Sequence, residues 1–300
     1  MDAVVMPAED GVMLSIDYVE DLFADGVVDG IADAFVRALD LLVDEPGSWE
    51  RICTLPLGAK DADIVEEIND TARLVAARTY APTLRRAFER YAEKEAVTDG
   101  EASLTYAELE RLVGRAGQAI EMFAREQGGA ERAPIGIMMG KGIMQVAAAL
   151  ACTTRGRAFM PVDVEYPPQA IASCYEGAGL AGIVVDGQTR SLAPEGVPVL
   201  ELEAALPDDA AIDWVDPEAG DVLAIINTSG STGTPKGIRL TNEGVMNCIE
   251  WSEQEFGIDR SSRVLAVTNF AHDMGLYDVL GPILSGAALV VLDEQTRREP

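Results

Sequence analysis

Hydrophobic and polar positions along the first quarter of the chain predict one strand and one helix. Residues 12–19 (VMLSIDYV) alternate loosely and include β-branched residues, which favours a strand. A helical apolar face follows, and Pro46 with Gly47 closes it; the face consists of Ile31, Phe35, Ala38, Leu39 and Leu42. From about residue 55 to residue 82 the sequence is mixed polar with weak periodicity, as is typical of a connection between domains. We therefore predict a small unit of strand and helix, then a linker.

The pattern changes near Thr83, where short apolar segments begin to alternate with helical stripes. The first stripe consists of Leu84, Ala87, Phe88 and Tyr91. Residues 134–139, 183–186 and 222–226 are short apolar segments that predict buried strands, whereas residues 143–152 predict a helix. Helices that separate short apolar strands indicate largely parallel sheets covered by helices on both faces. This part of the chain is therefore predicted to be α/β.

One helix has a well-marked beginning. Thr105 is placed as its N-cap, and Glu108, three residues later, completes a capping box. Leu104 and Leu109 stand at the positions of a hydrophobic staple. These residues predict a helix that starts after Thr105, and their role is structural.

Charge and composition narrow the possible partners. The chain has 300 residues, 48% hydrophobic and 25% charged, which is typical of a globular protein of one large domain or two. Lys and Arg number 23 against 51 Asp and Glu, for a formal net charge of -28. A surface this acidic repels phosphodiester backbones and anionic lipid headgroups. We expect neither nucleic acid nor a membrane as a partner.

Cysteine and histidine content argues against several site types. The four cysteines are scattered without C-x-x-C spacing, and His272 is the single histidine. A zinc site, a disulfide framework and a Ser/His/Asp hydrolase are therefore not expected. No apolar run approaches the ~20 residues of a membrane span, and Met1, Asp2 and Ala3 do not form the basic start of a secretory signal. We expect a cytoplasmic protein.

A loop rich in glycine and hydroxyl side chains follows the strand at 222–226. It has backbone N–H groups that can approach a ligand closely and hydroxyl donors beside them, which suits a polyphosphate. Pro235 stands where a Walker loop requires glycine, so this is a different phosphate cradle. The alternative is a flexible Ser/Gly linker, but a buried strand before it and Pro-Lys-Gly after it favour the cradle. The predicted cradle comprises Thr228, Ser229, Gly230, Ser231, Thr232, Gly233, Thr234, Lys236, which supplies the charge, and Gly237.

The segment TSGSTGTPKG (residues 228–237) resembles the phosphate-loop signature of adenylate-forming enzymes, and the chain from about residue 83 to residue 300 resembles the amino-acid adenylation domains of nonribosomal peptide synthetases. LTYAEL (104–109) resembles the first core motif of those domains. RAFMPVD (157–163), followed by EYP (165–167), resembles the second. The resemblance implies the N-terminal core of an adenylation domain over 83–300, with largely parallel sheets covered by helices.

The first 55 residues resemble the C-terminal tail of a condensation domain, which implies a small α+β piece, with residues 56–82 as the linker. Two local departures from the adenylation pattern occur: Asn242 stands where the family usually has His, and Thr154 to Arg157 replace a glycine-rich approach to the second motif. The condensation catalytic histidine motif and the C-terminal catalytic lysine of adenylation domains are not found. The resemblance therefore implies a slice across two domains, inactive by itself.

The segment from Phe270 to Leu280 resembles the start of the family's substrate-binding helix, and Asp273 is its candidate ligand. The resemblance implies that this carboxylate holds the ammonium group of an amino acid and that Met274 and Tyr277 line the substrate pocket. A plain helix N-cap is a second interpretation of Asp273, and the two interpretations are compatible. His272 is equally compatible with a packed or solvent-facing imidazole and with a gating role.

A competing resemblance concerns the same segment. HDMGL (272–276) is also similar to the corresponding motif of fatty acyl-adenylate ligases, which activate an acid that has no amine. The interval from Asp273 to Ser285 and Gly286 matches the amino-acid pattern, since the acyl-ligase pattern has one residue more. The spacing therefore favours amino-acid activation.

The resemblance also implies the chemistry. The amino-acid carboxylate attacks the α-phosphate of ATP with Mg²⁺ present, and the acyl group then passes to a phosphopantetheine thiol on a carrier protein. The loop, with Lys236 as the catalytic residue, would stabilise the departing pyrophosphate. Carrier and condensation domains of the same assembly line would be the partners. The alternative from another class is a noncatalytic fragment that binds ATP or another protein at most.

Overall fold

The computed structural model describes residues 1–9, 11–50, 59–72, 74, 76–128, 130, 132–228 and 236–292. These residues belong to two compact units, Met1–Leu74 and Val75–Pro300. The division falls inside the segment predicted as a linker, 56–82. The assignment of the units to particular domains stays a prediction.

The first unit begins with a β-hairpin that leads into a helix. Strand β1 (Asp2–Ala8) pairs antiparallel with β2 (Gly11–Asp17), and helix α1 spans Val27–Asp44. The predicted strand and helix are confirmed, whereas β1 is an element that the sequence pattern did not reveal. A second helix, α2 (Ala59–Asn69), lies inside the predicted linker, where Ile64, Val65 and Ile68 repeat at helical spacing.

The second unit alternates helices and strands. The predicted elements at 134–139, 143–152, 183–186 and 222–226 are confirmed with small shifts at their ends. In chain order the unit contains α3 (Tyr80–Tyr91), β3 (Glu95–Thr98), β4 (Ser103–Thr105), α4 (Tyr106–Glu126), β5 (Ile135–Met138), α5 (Ile143–Thr154), β6 (Phe159–Pro161), α6 (Pro168–Ala178), β7 (Gly182–Val185), β8 (Val199–Glu201), α7 (Leu202–Ala205), β9 (Val222–Thr228), β10 (Lys236–Thr241), α8 (Asn242–Phe256), β11 (Arg263–Ala266), α9 (Asp273–Ser285) and β12 (Ala288–Val291).

The strands of the second unit form two mixed sheets that are mostly parallel. The six-stranded sheet has the order β10-β9-β6-β5-β7-β8, and only its β9–β10 pair is antiparallel. The four-stranded sheet has the order β11-β12-β3-β4, and only its β3–β4 pair is antiparallel. The predicted α/β class with largely parallel sheets is therefore confirmed.

Both faces of the six-stranded sheet are covered. Neighbouring residues of β5 point to opposite sides: Ile137 belongs to the larger hydrophobic cluster, and Met138 belongs to the smaller one. On the larger side α5 is so enclosed that Met144 is its one residue that is not buried. On the smaller side α6 contributes Ile171 and Cys174. A strand buried on both faces explains why these segments read as continuous apolar runs.

The start of α4 has the predicted capping geometry. Thr105 Oγ1 accepts a hydrogen bond from the Glu108 backbone N–H at 3.3 Å, and Glu108 Oε2 accepts one from the Thr105 backbone N–H at 2.8 Å. Hydrogen bonds from Thr105 hold the pKa of the Glu108 carboxyl below its usual range. Leu104 and Leu109 both join the larger cluster. The capping box is confirmed.

The described residues have neither a membrane-spanning helix nor a cluster of metal ligands. In that part of the chain no helix is both long enough and apolar enough to cross a bilayer. The same residues contain no group of three His, Cys, Asp or Glu side chains that could hold a metal ion. Cys152 and Cys174 are buried free thiols, and Cys248 is an exposed one.

Candidate active site

The predicted phosphate loop is carried by an antiparallel strand pair. Lys236 at the start of β10 pairs with Thr228 at the end of β9, and Gly237 pairs with Asn227. The two ends of the loop are therefore neighbours in the sheet. The loop residues Ser229, Gly230, Ser231, Thr232, Gly233 and Thr234, and the side chains of Thr228 and Lys236, lie outside what the structure describes.

Gly237 lies against β9 with little space for a side chain. A β-carbon at this position would stand 3.2 Å from Ile225 Cγ2 and 3.7 Å from Asn227 Oδ1. Asn227 is itself fixed, because its Nδ2 donates to Cys174 Sγ at 2.9 Å. Burial raises the pKa of the Cys174 thiol, so this sulfur remains a neutral packing group. The strand that leads into the loop is thus anchored on α6.

Helix α9 begins at Asp273, and the structure places His272 rather than Asp273 at the N-cap position. Asp273 Oδ1 accepts a hydrogen bond from the Met274 backbone N–H at 2.7 Å. The plain N-cap interpretation of Asp273 is therefore wrong. The N-cap is the last residue with a non-helical backbone before the helix, and that residue is His272, whose backbone is extended. Both side chains, His272 and Asp273, are exposed.

A cleft of about 450 Å³, here called the loop-side cleft, brings the two predicted halves of the site together. It is lined by Tyr166, Ile226, Asn227, Ile238, Leu240, His272 and Asp273. Ile226 and Asn227 belong to the strand that leads into the phosphate loop, whereas Asp273 begins the helix predicted to bind the acid. The end of β9 and the start of α9 therefore face one space.

A second cleft of about 350 Å³, here called the helix-side cleft, lies between α8, α9 and the end of β10. Asp273 and Leu240 line it as they line the loop-side cleft, so the two spaces adjoin. Tyr277 also lines it, and burial raises the pKa of that phenol. Met274 is 56% exposed and lines neither cleft as the described residues form them. The structure thus brings Asp273 and Tyr277 together but not Met274.

The motif that resembles the second adenylation core motif begins with a buried arginine in an ion pair. Arg157 is 4% exposed; its Nη2 lies 3.0 Å from Glu121 Oε2, and its Nη1 donates to the Ala133 carbonyl oxygen at 2.6 Å. Gly156 lies in the segment Thr154 to Arg157, which differs from the glycine-rich pattern of the family. It has a φ of +60°, which favours glycine. This part of the motif positions β6. Tyr166, in the later part of the motif, lines the loop-side cleft. The sequence did not predict Tyr166 as a site residue.

Sequence reasoning also missed residues that hold the start of α9 in place. Asn269 Oδ1 accepts from the Ala271 backbone N–H at 2.9 Å, and its Nδ2 donates to Asp163 Oδ2 at 2.9 Å. Asp278 is buried, and its Oδ2 accepts from the Thr268 backbone N–H at 3.0 Å. An Asx-type residue four positions before the predicted helix start was the available signal for Asn269.

Comparisons with known proteins show the family of the second unit. A family profile described as AMP-binding enzyme matches residues 84–300. The phenyloxazoline synthase MbtB of Mycobacterium sp. (strain MCS) is 29% identical over 307 residues, which cover 100% of this chain and 25% of that protein. Gramicidin S synthase 2 of Aneurinibacillus migulanus is 24% identical over 308 residues, which cover 100% of this chain and 7% of that protein. The chain thus spans a quarter or less of these relatives.

Solved structures show the same fold. The nonribosomal peptide synthetase FmoA3, described with AMPPNP bound, has a TM-score of 0.72 and 29% identity over 96% of this chain and 31% of its own. The same protein is described with α-methyl-L-serine-AMP bound, at 27% identity and a TM-score of 0.72. A four-domain synthetase described with AMP and glycine has 20% identity and a TM-score of 0.72, which shows the fold alone.

Proposed function

This chain belongs to the AMP-binding enzyme family, and we propose that it is part of a nonribosomal peptide synthetase module that activates an amino acid with ATP. The supporting observation is the loop-side cleft, where the strand leading into the phosphate loop and the carboxylate of Asp273 face the same space. An acid bound there by its ammonium group would lie beside the phosphates of ATP.

The proposed reaction has two steps. An oxygen of the amino-acid carboxylate attacks the α-phosphorus of ATP, and the bond from that phosphorus to the bridging oxygen breaks, so that its electron pair leaves with pyrophosphate. In the second step the acyl group would pass from AMP to the sulfur of a phosphopantetheine thiol on a carrier protein. The carbon–oxygen bond to AMP would break as the carbon–sulfur bond forms, with AMP as the leaving group and the thiol proton released to solvent. The carrier protein that bears the thiol and a condensation domain would be the partners.

The loop from Thr228 to Gly237 is proposed as the cradle of the leaving pyrophosphate. The pairing of Lys236 with Thr228 keeps the two ends of the loop adjacent, so its backbone N–H groups can converge on one ligand. Gly237 allows the end of the loop to lie close to Ile225 of the neighbouring strand. Mg²⁺ bound to phosphate oxygens would supply positive charge to a protein whose net charge is -28. We also propose a cytoplasmic location, because ATP is available there.

Asp273 is proposed as the anchor of the substrate ammonium. A carboxylate that faces two adjoining clefts can pair with a cation in either one. Tyr277 would line the space for the substrate side chain. Met274 is exposed and lines neither cleft, so it would contact the substrate only from outside the two clefts. The α-methyl-L-serine-AMP described in FmoA3 supports an amino acid rather than a fatty acid as the substrate.

The first unit is proposed as the end of a condensation domain. Its support is that the alignments with MbtB and gramicidin S synthase 2 cover the whole of this chain, including residues 1–74. A module of this kind would accept a peptide upstream of the amino acid that the second unit activates.

The direct test of the proposed function is substrate-dependent exchange between ATP and labelled pyrophosphate, measured in the complete synthetase. We expect exchange with one amino acid or a small set of related ones, and none with fatty acids of matched length. Exchange with fatty acids alone would instead support the acyl-ligase alternative. If none of the tested acids supports exchange, the result would favour a binding module without catalysis.

A further inference from the structure

Residues 76–80, here called the strap, lie beside α8 and are hydrogen-bonded to it at both ends. The carboxylate of Glu250 accepts hydrogen bonds from the Ala76 backbone N–H at 2.9 Å and the Ala77 backbone N–H at 3.2 Å. At the other end, Asn242 Oδ1 accepts from the Tyr80 backbone N–H at 3.1 Å. The strap therefore spans α8 from Glu250 back to Asn242.

The lengths of the two segments match. Eight residues of helix, from 250 to 242, rise about 12 Å at roughly 1.5 Å per residue. Four extended steps, from 76 to 80, cover about 13 Å at roughly 3.3 Å per residue. The extended backbone of Thr79, with a φ of −137° and a ψ of 144°, fits this geometry. A segment of this length can reach both anchor points.

The strap also reaches the neighbouring helix. Tyr80 is fully buried, and its hydroxyl donates to the Leu280 carbonyl oxygen in α9 at 2.8 Å. Asn242, 4% exposed, ties the same point to the chain before β9, because its Nδ2 donates to the Asp221 carbonyl oxygen at 3.1 Å. Asn242 is the residue that departs from the family histidine. Its side chain here fastens the strap.

Helices α8 and α9 are the two helical walls of the helix-side cleft. Cys248 and Ile249 line it from α8, and Asp273 and Tyr277 line it from α9. One short segment thus bonds to both walls. We propose that the strap sets the spacing of α8 and α9 and thereby shapes the helix-side cleft, with Glu250 and Tyr80 as positioning residues. Where it concerns amino-acid binding, this inference rests on the proposed function.

The individual bonds differ in what they contribute. The Glu250 carboxylate receives charge-assisted bonds from two backbone N–H groups, which are stronger than bonds between neutral groups. The Tyr80 hydroxyl bond is buried, so its loss leaves the Leu280 carbonyl oxygen without that donor. The exposed ion pair between Arg78 and Glu243, at 2.8 Å, adds little because solvent screens it. Glu250 and Tyr80 are therefore the informative positions.

The first test measures backbone amide exchange in the 300-residue chain for Glu250→Ala and Tyr80→Phe. Glu255→Ala is the matched control, because Glu255 is exposed on the same helix and takes no part in the strap. We expect exchange of amides in residues 276–284 of α9 to rise roughly tenfold in both test variants, which corresponds to about 1.4 kcal/mol. Glu250→Gln, which keeps one acceptor oxygen, should lie between.

A rise confined to residues 76–80 and α8, with α9 unchanged, would overturn the proposal. Glu250→Ala removes a partly exposed side chain, so that variant is expected to fold even if Tyr80→Phe is poorly stable. An equal rise in the Glu255→Ala control would also overturn it, since the effect would then reflect the helix and not the strap.

The second test uses exchange of ATP with pyrophosphate in the complete synthetase. We expect Glu250→Ala to raise the KM for the amino acid about threefold or more while kcat and the KM for ATP stay unchanged, because a changed cleft weakens binding of the acid alone. Parallel changes in all three parameters would mean a general structural role. If the wild-type synthetase activates no acid, the proposed function fails, and amide exchange still decides the inference about the strap.

Discussion

Gly275 packs directly against the backbone of Asn269. A β-carbon on residue 275 would lie 2.6 Å from the Asn269 carbonyl carbon, and 2.9 Å from Phe270 Cα. Real contacts of this kind are longer, and backbone atoms cannot move aside as a flexible side chain can. The absence of a side chain at 275 therefore allows the segment before α9 to fold over its first turn, which places Asp273 at the edge of both clefts.

Gly275→Ala should consequently destabilise the protein, although alanine favours a helix over glycine. The clash is with backbone, so the cost should reach the upper part of the roughly 1–3 kcal/mol that overpacking produces. Gly177→Ala in α6 is the control, because nothing lies within 4 Å of the added carbon; it should be neutral or stabilising. Urea unfolding measures both variants. Similar behaviour of the two would contradict the close packing of Gly275 and Asn269.

Glu253 on α8 has an unusual environment that predicts a pH dependence of stability. Burial, followed by the nearby charge of Glu250, raises the pKa of this carboxyl to about 7 from its ordinary 4.5. Tyr80, Tyr106 and Tyr277 interact with it electrostatically. Between these two pKa values the folded protein binds a proton more tightly than the unfolded chain does. The stability that Glu253 contributes is therefore present at low pH and is lost as the pH rises through about 7.

Glu253→Gln should remove this loss, because glutamine resembles the neutral carboxyl. Thermal unfolding between about pH 5 and pH 8 should show the variant close to wild type at the acidic end and more stable than wild type at the alkaline end. Glu255→Gln, on the exposed side of α8, provides the control and should run parallel to wild type. A Glu253→Gln curve parallel to wild type at every pH would mean that this carboxyl titrates normally.

The capping box of α4 gives a third prediction. Thr105→Ala removes the acceptor for the Glu108 backbone N–H and should cost about 1 kcal/mol of unfolding free energy. Thr105→Ser keeps the hydroxyl and should stay near wild type. Chemical denaturation compares the three proteins, and equal loss in the serine variant would show that the methyl group rather than the cap matters.

Local signals explain why parts of the fold were predictable. Thr105 and Glu108 form their capping box within four residues, so the sequence alone contains both partners. Residues 135–138 and 223–226 are buried on both faces of their sheet, and burial makes them continuous apolar runs. The phosphate-loop prediction for residues 228–237 also rests on a local signal, because the residues that suggest it are contiguous in the sequence.

Long-range contacts were not predictable in the same way. The bonds from Ala76 and Ala77 to Glu250 join residues more than 170 positions apart, and no local pattern distinguishes Glu250 from the other acidic residues of α8. The pairing of β12 with β3 likewise depends on tertiary packing. Strand β1 escaped prediction because its side chains are exposed, so burial imposes no alternation on them. Gly275 is required by a backbone approach that only the folded chain has.

The phosphate loop gives a fourth prediction, in the complete synthetase. Lys236→Ala removes a positive charge and Gly233→Val fills space needed for backbone approach, so both should slow exchange of ATP with pyrophosphate by about tenfold or more. Lys60→Ala is the control for a lysine lost outside the second unit and should have no effect. Unchanged exchange in both loop variants would show that residues 228–237 are not the phosphate cradle.

Asp273 gives the fifth prediction, which concerns the amine. Asp273→Asn keeps the shape of the side chain and removes its charge, so a substrate ammonium loses its partner. A substrate bound beside Asp273 would exclude water from the charge pair, and an unpaired charge in such a site costs about 2 kcal/mol or more, which is roughly thirtyfold in binding. ATP binding measured alone should stay near wild type, because the ammonium anchor does not contact the phosphates.

The most direct test of amino-acid activation is therefore the KM of wild type and Asp273→Asn synthetase for the cognate amino acid and for its des-amino analogue, both determined by ATP–pyrophosphate exchange. We predict that the substitution raises the KM for the amino acid roughly thirtyfold or abolishes its exchange, and that it leaves the KM for the analogue almost unchanged. Equal penalties for the two acids, or a wild-type preference for the acid without an amine, would contradict the assignment of Asp273 and of an amino-acid substrate.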